Sequence, residues 1–107
     1  MVVRTMKMLE KNKKAIVIVA HPDDETIWMG ATIFKNPQLD WTILSLCRSS
    51  DKDRAPKFRK VCRFLGAKAI IQDLDDEDLL SVKQTLPLIE KSIKDLFANR
   101  SFDYLFT

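Results

Sequence analysis

The chain alternates short apolar runs with longer stretches in which apolar residues recur every three or four positions. Residues 15–20, Ala-Ile-Val-Ile-Val-Ala, form one such run. It is short, β-branched and free of polar interruptions, the pattern of a central parallel strand covered on both faces. Residues 23–26 then offer side-chain oxygens to start a helix over 26–34 that carries Ile27, Trp28, Ala31 and Phe34, and Asn36-Pro37 closes it. Residues 41–47 read as a second strand. A polar loop over 49–53 leads to Asp53 as N-cap, with Pro56 in the first turn of the next helix. Phe58, Val61, Cys62 and Leu65 form its amphipathic stripe, and Gly66 is its stop. Residues 68–72 give a third strand and 73–78 an acidic loop. Leu86, Ile89, Ile93, Leu96 and Phe97 predict a third helix over 85–99, with Pro87 in its first turn. Residues 102–107 complete the pattern as a fourth strand.

Strand–helix alternation with short connections predicts an α/β fold, a Rossmann-like, doubly wound parallel sheet in three α/β/α layers. Right-handed crossovers give a strand order of 3-2-1-4. The order reverses between strands 1 and 4, so a crevice is expected at their carboxyl ends. Residues 1–14 read as a basic lead-in and 15–107 as a single Rossmann-like portion.

The chemistry gathers where the first strand ends. His21, the one histidine of the chain, opens the sequence His21-Pro22-Asp23-Asp24-Glu25 at the predicted switch point. Imidazole nitrogen and carboxylate oxygen are both zinc donors, at about 2.0–2.2 Å. A carboxylate that is not a ligand can activate a water held by the metal. The duller reading is that the histidine is satisfied by backbone and that the acids cap the following helix, whose N-terminal dipole favours negative charge. Capping and catalysis are compatible here.

With Ala20 in front, the run reads Ala-His-Pro-Asp-Asp-Glu. It resembles the signature of the LmbE-like (PIG-L) de-N-acetylase family of zinc hydrolases. Residues 44–48, 54–66 and 73–80 resemble that family's second strand, second helix and acidic loop, and the likeness covers roughly residues 15–107. The resemblance implies zinc as cofactor, with His21 and Asp24 as ligands. It implies Asp23 as the general base and Glu25 as a supporting residue at the helix start. For substrate contacts it favours Arg54, with Asp75 or Asp76 of the acidic loop reaching sugar hydroxyls. The implied reaction is removal of the N-acetyl group from an N-acetylglucosamine-type amino sugar or its conjugate. The family takes a third zinc ligand from a histidine beyond its fourth strand. This chain has no second histidine, so the resemblance predicts a truncated member holding zinc weakly. The rival expectation is a catalytically silent Rossmann-like fragment that self-associates or needs a further half.

Composition narrows the remaining classes. At 107 residues with 46% hydrophobic residues, one globular domain is expected. The net charge of +3 reads as a solvated face, and no basic run is interleaved with aromatics, so nucleic acid is not an expected partner. Only Gly30 and Gly66 are present, which excludes a glycine-rich phosphate loop. Cys47 and Cys62 read as reduced core thiols, suiting a cytoplasmic location. Cys47 lies near the carboxyl end of its strand, where a substitute metal-ligand role is open but disfavoured against that of a core thiol. Arg48 shares the rim with Arg54, and lone arginines are commonly surface residues. No apolar run approaches membrane-spanning length. An apolar terminal strand predicts a homodimer through 102–107.

Overall fold

The computed structural model describes residues 13–22, 24–74 and 81–107, with backbone alone at 24–28 and at 82. Its elements run β1 (Lys14–Val19), α1 (Asp24–Lys35), β2 (Asp40–Ser45), α2 (Arg54–Phe64), β3 (Lys68–Ile71), α3 (Val82–Ala98) and β4 (Tyr104–Phe106). The four described strands are parallel and ordered β3-β2-β1-β4, as the alternation predicts.

The steps from β1 to β2 and from β2 to β3 move the same way along the sheet. The step from β3 to β4 returns past β1. Right-handed connections therefore put α1 and α2 on one face and α3 on the other. The Phe34 and Phe64 rings, one from each of α1 and α2, lie 5.8 Å apart. Beneath those helices Ala15, Val17 and Val19 of β1 meet Trp41 and Ile43 of β2, Met29 and Ile33 of α1, and Phe58 and Cys62 of α2. The alternate residues Ile16 and Leu44 are also fully buried. Cover on both faces explains why β1 reads as a continuous apolar run with no alternation. Trp41 joins this core without stranding its polar edge, since its Nε1 donates to the Asn36 carbonyl at 2.9 Å.

Several boundaries differ from the sequence pattern, each for a local reason. Helix α1 starts at Asp24, two residues ahead of expectation, and β2 begins at Asp40 and ends at Ser45. Asp53 occupies the N-cap position of α2, but its side chain caps nothing. Asp51 does that work, its Oδ1 accepting from the backbone N–H groups of Asp53 at 2.9 Å and Arg54 at 2.8 Å. Asp53 instead pairs with Lys57 at 2.9 Å. Gly66 ends α2 as expected, at φ +74°, a conformation glycine adopts without steric cost.

Helix α3 departs furthest. Ser81 and Gln84 form a reciprocal capping box that starts the helix at Val82. Pro87 consequently lies inside the helix and not in its first turn. The inward face carries the half-buried Thr85, Ile89, Ile93 and Leu96. Leu86 and Phe97, expected in that stripe, are exposed, with Leu86 at 57%. Phe97 finds a local partner in Phe102, edge to face at 5.3 Å.

Candidate active site at the carboxyl edge of the sheet

Parallel strands deliver their last residues to one edge, and here that edge is held by continued backbone pairing. Beyond β1 and β2, Leu46 N–H donates to the Val19 carbonyl at 3.0 Å and Cys47 N–H to the Ala20 carbonyl at 3.1 Å. These two bonds bring His21 out beside Cys47. Pro22 follows, fully buried, and α1 begins at Asp24. The helix thus presents its unsatisfied N–H groups at the same edge, directly after the histidine.

The loop after β2 wraps around this turn. Arg48 adopts φ +79°, a left-handed conformation that costs a residue bearing a Cβ roughly 1–2 kcal/mol. Its guanidinium lies 4.0 Å from Asp51. The two backbone N–H donors at Arg54 and Asp53 hold the Asp51 carboxyl below its ordinary value, and the Arg48 and Arg54 charges add to that effect. Arg54 reaches from the start of α2 to the motif itself, donating from Nη2 to the Pro22 carbonyl at 3.1 Å.

The loop after β3 is tied in from the other side. Ser49 N–H donates to the Gln72 carbonyl at 3.0 Å, and Leu74 N–H to the Leu46 carbonyl at 3.0 Å. Asp73 Oδ1 accepts from the Ser50 hydroxyl at 3.0 Å and from its N–H at 3.3 Å. Asp73 is therefore a loop-bracing residue. The Gln72 Oε1 is buried and lacks a hydrogen-bond partner among the described residues.

Between these loops and α3 lies a cavity of about 290 Å³. Ala20, Leu46, Cys47 and Leu74 wall it from the strand ends, Thr85 and Ile89 from α3, and His21 also lines it. A second cavity of about 330 Å³, lined by Lys14, Asp40, Thr42, Lys68 and the segment from Arg100 to Phe102, opens at the opposite, amino edge. There Lys68 pairs with Asp40 at 3.4 Å.

Of the residues singled out in the sequence, His21, Cys47, Arg48 and Arg54 all stand at the carboxyl edge. Asp24 is placed by backbone alone, as the first residue of α1, and Glu25 follows it in the helix. Asp23, Asp75 and Asp76 lie outside the described residues. Among the described residues no three His, Cys, Asp or Glu side chains converge as a metal-holding group. The donor chemistry of the turn, an imidazole followed by a carboxylate at a helix start, suits zinc in kind. Cys47 is a buried thiol outside any disulfide that shares the cavity with His21, and Cys62 is a second buried thiol, beneath α2. Sequence reasoning missed Asp51, Thr85 and Ile89. The spacing Ser81-x-x-Gln84 is the signal that would have set α3 in register and pointed Thr85 inward.

No family model and no curated protein sequence matches the chain. Among solved structures, the crystal structure of GalB, the 4-carboxy-2-hydroxymuconate hydratase from Pseudomonas putida KT2440, is similar, with a TM-score of 0.59 and 17% identity. The match covers 78% of this chain and 43% of that one, so the chain spans less than half the length of this structural relative. The likeness is one of fold, a Rossmann-like α/β arrangement.

Proposed function

We propose that this chain is the N-terminal portion of a zinc-dependent hydrolase of the LmbE-like (PIG-L) kind, removing the N-acetyl group from an N-acetylglucosamine-type sugar. The supporting observation is the position of His21 and the start of α1 at the carboxyl edge of β1, where strand order reverses between β1 and β4. In this reading His21 and Asp24 hold zinc, with Cys47 the nearby alternative donor. Zinc, when bound, would supply Lewis acidity toward the amide carbonyl and acidify the attacking water. Asp23 takes the proton of that water and returns it to the departing amine. Glu25 steadies the helix start. Arg54 braces the turn through Pro22, and this reading assigns Arg54 and Asp76 to the sugar hydroxyls.

The apolar residues left uncovered on β4 and α3 support a second copy as partner. Leu105 is 56% exposed, and β4 pairs with β1 alone among the described strands. The proposed dimer forms through 102–107. No helix among the described residues is long and apolar enough to cross a membrane.

Metal analysis of the purified chain, with acetate release from N-acetylglucosamine and its conjugates, tests the hydrolase reading. Weak zinc binding, with little metal-dependent acetate release, is expected of this chain. A chain that neither retains zinc nor releases acetate is a silent Rossmann-like module.

A further inference from the structure

Among the described residues, no carboxylate, lysine or arginine lines the cavity beside His21. Ala20, Leu46, Leu74 and Ile89 are apolar, and Cys47 adds a thiol. The Thr85 hydroxyl spends its proton on the Ser81 carbonyl at 2.9 Å. Sugar hydroxyls would find few partners among these described residues, and burying them unpaired is costly. A neutral hydrocarbon group suits the lining. The volume of about 290 Å³ equals roughly ten waters at about 30 Å³ each, several times the need of one methyl group. It sits near the lower end of small-molecule pockets, which start at about 300 Å³.

Position decides which part of a substrate enters. His21 lines the cavity, and the scissile carbonyl must lie beside it if His21 holds the metal. The substituent on the carbonyl carbon is then the group held closest to the opening. We infer that the site takes amides whose acyl group is longer than acetyl, a butanoyl-to-hexanoyl chain laid into the cavity between Leu46, Leu74 and Ile89. This inference rests on the hydrolase reading for the orientation of the substrate. It replaces acetyl by a longer chain as the preferred leaving acid.

The test uses the full chain, zinc, and three probes: N-acetyl-, N-butanoyl- and N-hexanoyl-glucosamine. Calorimetric Kd values are measured for each, with amide shifts of Cys47, Thr85 and Ile89 followed by NMR. Each added methylene is expected to tighten binding about fourfold. Ile89→Trp and Thr85→Phe, two independent ways of filling the cavity, should flatten the series. A Kd that does not fall with chain length overturns the inference, as does a series unchanged in both variants or no binding by any probe. Release of the acyl acid is assayed in parallel and separates the two readings. Length-dependent binding without hydrolysis removes the hydrolase reading and keeps the cavity's assignment. Hydrolysis of the acetyl sugar with no length preference does the reverse.

Discussion

Arg54 Nη2 donates to the carbonyl oxygen of Pro22 at 3.1 Å across a separation of 32 residues. The bond fastens the first turn of α2 to the turn that follows β1. It acts on backbone, so it fixes where the chain passes between His21 and Asp24 and does not depend on either side chain. A hydrogen bond from a charged donor is worth about 1.5–3 kcal/mol, and the lower value suits a partly exposed arginine. Arg54→Met should therefore cost about 1.5 kcal/mol in denaturant unfolding. Arg54→Lys should recover part of that loss, since a lysine keeps the charge without the planar fork. In both variants the His21 ring resonances should shift. Unchanged His21 resonances would show that the bond does not position the turn.

The roles of the adjacent acids are separable by metal content. In a complete homologue, or in this chain where it proves active, Asp23→Asn should leave zinc in place and lower turnover by about 10²–10⁴, the usual contribution of a general base. Asp24→Asn and His21→Ala should lose the metal. Equal zinc retention in all three variants would contradict the assignment.

Asp51 gives a pH dependence with a definite sign. Its carboxyl titrates below the ordinary 3.8 because the N–H groups of Arg54 and Asp53 stabilise the ionised form. A depressed folded-state pKa contributes stability that is complete above the unfolded value and disappears as pH falls through the folded value. Asp51→Ala should melt lower than the parent at pH 6. The gap should hold down to about pH 4 and close at lower pH. A gap that widens on acidification would refute this.

How much of this was readable in advance depended on whether the signal was local. Residues 15–20 announce a buried strand because both faces of β1 are covered, and the strand order follows from handedness alone. The turn at Gly66 is written in one residue. The bond from Arg54 to Pro22 was not readable as such, because its acceptor is a backbone carbonyl and any residue supplies one. Asp51 was passed over for Asp53 because both acids fit a cap by spacing, and only the loop's path decides between them. Pro87 misled for a different reason. Its preference for first turns is real, but the Ser81–Gln84 capping box starts the helix at Val82, ahead of it.

That box can be tested directly. Ser81 Oγ accepts from Gln84 N–H at 3.2 Å, and Gln84 Oε1 accepts from Ser81 N–H at 2.9 Å. Ser81→Ala should cost about 1 kcal/mol. Amide exchange should speed first at Gln84 and Thr85, at the end of α3 that walls the cavity. Uniform acceleration along the helix would point to global loosening instead.

For self-association, Leu105→Lys places a charge on the outer residue of β4. Sedimentation should show the variant shifted to monomer relative to the parent. A parent that sediments as a monomer at high concentration rules out the dimer through this strand.

The pairing of β1 with β4 also sets an order in time. Asp103 N–H bonds the Lys14 carbonyl at 2.7 Å, and Lys14 N–H bonds the Asp103 carboxylate, residues 89 positions apart. Synthesis proceeds at about 5–20 residues per second, so one edge of the nascent β1 waits roughly 4–18 s for its neighbour. Throughout that interval the strand leading to His21 offers an open row of backbone donors and acceptors to any other strand nearby. A ribosome-bound chaperone, or a slow codon after β3, would act on this protein at that moment and on that edge.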